Sequence, residues 1–344
     1  MTPPLLAIGI GPFLSRTQTA ALGPVFKSYD DKFVQGMARL QAEEATGYGW
    51  YYYDRARSCY AYAARSGDAR FINRGHKVAL AYRKLGVEAG DYGTSSYWTF
   101  VPGLGMHYLH TGDVASLTAI GRLADNHALP YYINRLGDKV IDGEGTDART
   151  QARVLEGFLW AHLLKAPSPV RKTYDPTGMI HWGDVGGNDW NSLLPRTLEG
   201  CLASQASDGG WEGPARAQRS PFMYGIMNDV LIDVYRFWKQ DPRIIAAIRK
   251  NLDFMVARGW SQSRRSFLYN INNPTEEGGH APDLNMLIVS AFGWIAKITG
   301  DRSYITIGDL VFAGGVELGN YNGQKQFNQQ FQTSYRYLGW REGL

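Results

Sequence analysis

Between Arg258 and Asp283 the sequence gathers groups that can exchange protons: Glu276, Glu277 and Asp283, the imidazole of His280 and the phenol of Tyr269, with the amides of Asn270, Asn272 and Asn273 among them. This stretch joins two apolar-periodic segments, yet it carries Pro274 and Pro282, so neither helix continues through it. Long loops inside compact domains are usually functional. Carboxylates, an imidazole and a phenol in such company suit acid/base chemistry on a sugar.

Glycoside hydrolysis needs two carboxylates across the scissile bond, one protonated and one ionised. The loops between the longer helices supply Asp54, Asp91, Asp142, Glu144, Asp147, Glu276, Glu277 and Asp283. Asp54, Asp147 and Asp283 each fall near the start of a helix, where a carboxylate also stabilises the helix dipole. Glu144 and Glu277 lie beside glycines with no cap to make, which makes them the leading acid/base pair, with Asp147 and Asp54 behind them. The rival chemistry is β-elimination from a uronic acid polymer, which needs a Tyr or His base and groups that offset the carboxylate charge. Tyr269 and His280 suit the first role, and Asn272, Asn273, Arg149 and Arg264 the second. Trp50, Tyr97, Trp98, Trp211 and Trp260 are the expected sugar-stacking residues. A third reading is a non-catalytic glycan-binding module.

No metal or other cofactor is expected. His107 and His110 stand at i, i+3 without a third ligand nearby, so core packing is expected of them. Cys59 and Cys201 are too few for a thiolate zinc site or a disulfide framework. Asn228-Asp229 lacks the Ser and Glu of a diphosphate–metal motif. Gln205 to Trp211, with Asp208-Gly209-Gly210, reads as a helix-terminating turn.

The expected partner is an oligo- or polysaccharide substrate, and composition excludes others. Net charge is +4 from 36 basic and 32 acidic residues, with no dense Lys/Arg run, which argues against nucleic acid. No apolar run reaches the length of a membrane span, and Met1 to Phe13 carries neither a basic n-region nor a cleavage site. The expectation is a chain without a signal peptide, either cytoplasmic or secreted in a processed form. Apolar residues at 44% and charged residues at 20% suit a globular core. The anomaly is aromatic: 21 Tyr, 14 Phe and 10 Trp.

To position these groups the chain offers about twelve helices and almost no strand. They are expected near Pro24–Ala45, Tyr53–Ser66, Ala69–Gly86, Ser95–His110, Asp113–Ala128, Asp147–Leu164, Ser192–Ser204, Pro221–Lys239, Pro242–Arg258 and Asp283–Ile298, then between Asp301 and the connection that opens at Asn320, and over Gln326–Leu338. Ser66-Gly67-Asp68, Thr111-Gly112-Asp113, Gln240-Asp241-Pro242 and Thr299-Gly300-Asp301 are tight corners, combining Gly stops with Asp N-caps. Such corners make antiparallel helical hairpins. The connections between hairpins are longer and rich in Gly and aromatics. Every corner then falls on one face and the loops on the other. The exception is Ala166 to Trp190, which starts from the corner face and either wraps to the loop-rich one or is structural.

Six hairpins closing into a ring make an (α/α)6 toroid, all-α, spanning 24–344 behind an N-terminal extension of 1–23. With the repeated Gly-Asp corners, the loops Tyr48-Gly-Trp50-Tyr-Tyr-Tyr53-Asp54 and Ser96-Tyr97-Trp98, and Glu276-Glu277-Gly-Gly-His280, the chain resembles the (α/α)6-toroid carbohydrate-active enzymes, which include hydrolases and polysaccharide lyases. That resemblance implies a glycan-cleaving enzyme, with hydrolysis preferred to elimination. It assigns no catalytic residue by family.

Overall fold

The computed structural model describes residues 10–40, 51–128, 146–168, 171–174, 180–183, 189–213, 215–274 and 279–344. Among them the chain is mostly helical. The helices are α1 (Arg16–Ala21), α2 (Pro24–Leu40), α3 (Arg55–Ser66), α4 (Ala69–Ala81), α5 (Val101–Thr111), α6 (Val114–Ala128) and α7 (Ala148–Leu164). After them come α8 (Trp190–Ala203), α9 (Pro221–Phe237), α10 (Pro242–Gly259), α11 (Val289–Thr299), α12 (Ser303–Leu318), α13 (Gln324–Phe331) and α14 (Tyr335–Arg341). Two small antiparallel hairpins interrupt them: β1 (Arg171–Tyr174) with β2 (Ile180–Gly183), and β3 (Trp260–Ser261) with β4 (Ser266–Phe267).

The tight corners form for the expected reason. Gly67, Gly112 and Gly300 end α3, α5 and α11 in the left-handed region at φ 73°, 73° and 77°. The following aspartates then restart the chain: Asp68 accepts from the Arg70 amide at 3.0 Å, Asp113 from Ala115 at 3.1 Å and Asp301 from Ser303 at 3.1 Å. Asp241 caps α10, with Pro242 in the first turn where its missing N–H costs nothing.

Several boundaries differ from the expectation. The helix expected from Ser95 is a 3-10 turn (Ser96–Trp98) followed by α5, because Pro102 is accommodated only in a first turn. The one expected over Asp283–Ile298 opens as a 3-10 segment (Pro282–Leu287) before α11, and the tail divides into α13 and α14. Beyond α4 the helix widens into a π turn (Tyr82–Val87). The segment expected as an N-terminal extension is, from residue 10 on, part of the core: Ile10 and Leu14 are buried, and the Leu14 carbonyl accepts from Arg65 Nε at 3.0 Å. Within the segment 166–190, β1 packs beside α6.

Two kinds of helix are present. α9 buries every residue from Pro221 to Val234, and α7 buries nearly all of its first fourteen. By contrast α4 buries only Gly75, Val78 and Ala79, and α10 one stripe of Ile244, Ile248, Leu252 and Met255 among others. The packing order matches: α3 lies on α5, α5 on α7, α7 on α9, α9 on α11, α11 on α14, and α13 touches α3. α4, α6, α8, α10 and α12 cover the outside of this succession.

Where the enclosed helices meet, the core is ionic. Arg57 on α3 reaches Glu156 of α7 and Asp233 of α9, each at 3.5 Å; Arg153 binds Glu156 at 2.6 Å and Arg336 of α14 binds Asp233 at 2.9 Å. All five side chains are at most 7% exposed. Removing one member of such a network leaves a buried charge unpaired, at a cost of about 3–5 kcal/mol. The network therefore pins four helices in one arrangement.

Candidate functional site

The starts of several enclosed helices are tied to one another by a series of contacts. Asp54, the N-cap of α3, accepts from the amides of Arg57 at 3.1 Å and of Gly103 in α5 at 2.8 Å. Before α5, the Tyr97 hydroxyl donates to Asp147, the N-cap of α7, at 3.0 Å. The Ala148 amide in the same helix start donates to Glu212 at 2.8 Å, a residue of the loop leading to α9. Phe222 in the first turn of α9 packs on Tyr269 at 5.5 Å. Asp283 before α11 accepts from Gln329 of α13, through its carbonyl at 2.9 Å and its carboxylate at 3.3 Å. Finally Asn328 of α13 donates to the Tyr52 carbonyl at 2.6 Å, which returns to α3. The starts of α3, α5, α7, α9 and the segment before α11 thus bring free N–H groups and positive dipole ends toward one end of the molecule, with α13 beside them.

Asp147 is the carboxylate best placed in this series. It accepts from the Thr150 amide at 2.9 Å and from Tyr97, and Arg149 lies 3.9 Å away through Nε. Arg149 in turn stacks its guanidinium on the Tyr97 ring at 4.0 Å and approaches Phe222 at 6.0 Å. Tyr97 and Tyr269 are 38% and 39% exposed, so each ring keeps surface that a ligand can reach. Trp98 packs on Tyr52 at 4.3 Å, and Lys325 lies over the other side of this cluster, 5.3 Å from the Tyr52 ring.

Glu212 was absent from the sequence-derived set. It is buried, and burial pushes its carboxyl above the usual range, with Asp147 adding to the effect while the Tyr224 phenol and the Ala148 amide oppose it. Its one sequence signal is its position directly after Gly209-Gly210-Trp211, in a loop that belongs to the loop-rich face.

Other expected residues go elsewhere. Trp211 is fully buried and donates to Asn228 at 3.1 Å, so it is core and cannot line a subsite. Asp54 is 2% exposed with both oxygens on backbone amides, and burial pushes it up to about 6; it is a cap, not a group that meets substrate. Tyr269 and His280 do not form a pair. Leu268 bridges His280 across a short antiparallel ladder, and strand alternation turns the neighbouring Tyr269 to the opposite face. Tyr269 packs on Phe222 while His280 Nδ1 meets the Ser266 carbonyl at 3.1 Å. Asn272 ties its side chain to the Arg216 carbonyl at 2.7 Å, and Asn273 is exposed. Trp260 is half-buried against Phe267 at 5.0 Å. Trp50, Glu144 and Glu277 lie outside the described residues.

Core packing of the two histidines is what the structure has: His107 bonds Ser116 at 2.9 Å and His110 stacks on Tyr60 at 5.0 Å. No cluster of three His, Cys, Asp or Glu suited to a metal ion occurs among the described residues, and no described helix is long and apolar enough to cross a membrane. A cavity of about 510 Å³ between Phe13, Tyr60, Ile72 and His110 lies near Gly67, at the opposite end of α3 from Asp54.

No family model and no curated protein matches the chain. Among solved structures it is similar to the Lin0763 protein from Listeria innocua, at 9% identity and a TM-score of 0.50, over 90% of this chain and 96% of that one. At that identity the likeness concerns the fold alone.

Proposed function

We propose that the protein is a glycan-cleaving enzyme, a glycoside hydrolase built on an (α/α)6 toroid whose helix-start end is the substrate cleft. The toroid reading rests on the cyclic packing order of the enclosed helices and the second set outside them. The observation that carries the function is the grouping of Asp147 with Glu212 at the start of α7, beside the exposed ring of Tyr97. Two carboxylates in unlike surroundings supply an acid and a base. Burial favours the protonated form of Glu212, which suits it to protonate the departing glycosidic oxygen. Asp147, less enclosed and held by the Thr150 amide and the Tyr97 hydroxyl, is the base or nucleophile. The Tyr97, Trp98 and Tyr269 rings offer stacking faces for sugars.

Elimination is the second reading, favoured by one observation: the Arg149 cation stands against the Tyr97 phenol and is able to offset charge on a uronate carboxylate. Tyr97 would then be the base in place of Tyr269 and His280. Incubating the protein with neutral and acidic polysaccharides, while reading reducing ends and the ultraviolet absorbance of unsaturated ends together, tests the pair. Reducing ends alone are expected. Both signals rising together would replace hydrolysis by elimination, and silence across the panel would favour a non-catalytic binding module.

A further inference from the structure

Several described arginines are held by carboxylates. Arg219 grips Asp208 through both terminal nitrogens at 2.8 and 2.7 Å, Arg265 reaches Glu317 at 2.6 Å, and Arg57, Arg153 and Arg336 complete the central network. Arg149 differs. Its side chain is only 14% exposed, yet its guanidinium makes no hydrogen bond to any described residue; Nε is buried without an acceptor, as it is in Arg57, Arg153, Arg219 and Arg336, but those four have carboxylates on their terminal nitrogens. The nearest carboxylate, Asp147, stands off at 3.9 Å, beyond hydrogen-bond reach. What holds the group is the Tyr97 ring beneath it and Phe222 beside it.

A guanidinium largely stripped of water and left without acceptors is costly by itself, and its cost is recovered when an anion arrives. The planar fork selects a planar pair of oxygens, which it binds through two parallel N–H···O contacts. The rings of Tyr97 and Phe222 fix the plane of that fork. Lys325, over Tyr52, adds a second cation at the same end.

Building on the glycan-cleaving reading, we infer that the cleft is selective for a carboxylate-bearing sugar, a uronosyl residue whose carboxylate is gripped by Arg149 while its ring lies against Tyr97. A neutral sugar at this position leaves the guanidinium dehydrated and unpaired. A sulfated sugar offers charge without the planar match.

The test is calorimetric binding of uronate oligosaccharides (galacturonate, mannuronate and glucuronate series), the methyl ester of whichever binds, a sulfated oligosaccharide and a neutral glucan and mannan series. Each is titrated into wild type, Arg149→Met and Arg149→Lys, with thermal melts verifying that the variants fold. One uronate series should bind, its methyl ester weaker by about 10- to 100-fold, the range expected for hydrogen bonds to a charged group. Arg149→Met should erase that difference by weakening the acid alone, and Arg149→Lys should fall between. Equal binding of acid and ester, or an Arg149→Met variant that keeps the difference, overturns the inference. So does tighter binding of the sulfated sugar. Preference for neutral glycans leaves the glycan reading standing and removes this one; no binding of any glycan removes both.

Discussion

The Tyr97 hydroxyl donates to Asp147 across 3.0 Å, tying the loop before α5 to the N-cap of α7, while the ring of the same residue carries the Arg149 guanidinium. Tyr97→Phe keeps the ring and loses the donor. It should leave thermal stability within about 1 kcal/mol of wild type, the net worth of one exposed hydrogen bond, and lower kcat about 10-fold with little change in KM. Steady-state kinetics checks the split.

Gly103 records how closely α3 and α5 approach: a Cβ there would stand 2.2 Å from Asp54 Oδ1 and 2.9 Å from the Ala56 methyl. Gly103→Ala should therefore push Asp54 off the amides it caps and destabilise the fold by about 2–4 kcal/mol, in the range of overpacking with a lost cap. Urea denaturation measures it.

Trp211 should behave as core. Trp211→Phe removes the donor to Asn228, whose amide in turn bonds Asn251 at 2.9 Å, so the loss runs through a buried chain. A cost of about 2–3 kcal/mol is expected from the cavity and the stranded acceptor. KM should not move, whereas a subsite tryptophan would raise it.

Asp229 gives a pH signature. Burial outweighs Arg336, Thr333, Ser290 and Arg57 around it and pushes its carboxyl up from 3.8 to about 6. Between those values the native state keeps a proton that the unfolded chain has lost, so stability falls as pH rises through this window. The group costs nothing below pH 3.8 and its full penalty above about 6. Asp229→Asn has no such penalty, so the variant should gain on wild type by about 3 kcal/mol between acid and neutral pH. Denaturant melts at the two ends of the window give the difference; a constant gap would contradict it.

Much of the helical frame is legible in the residues, because Gly67, Gly112 and Gly300 stop helices by a local backbone requirement and Asp68 and Asp241 start them by a local hydrogen bond. Asp147 was readable as both cap and candidate for the same reason. What escaped depends on chain segments distant in sequence. Glu212 stands beside Asp147 only because the start of α7 comes to it across 64 positions. Trp211 reads as a loop aromatic, since nothing local reveals that it is buried and bonded to Asn228. Tyr269 and His280 sit close in sequence, but the short ladder at Leu268 turns them apart.

The most direct test is turnover of the cleaved glycan by wild type, Asp147→Asn and Glu212→Gln, each shown folded by thermal melts. Asn is as good an N-cap as Asp, so the first change spares α7 and removes only the charge. The account predicts that each variant loses at least about 100-fold in kcat, the scale of a lost acid or base. It predicts too that Glu212→Gln removes the high-pH limb of the rate profile. Near wild-type turnover by either folded variant would contradict the assignment of the carboxylate pair.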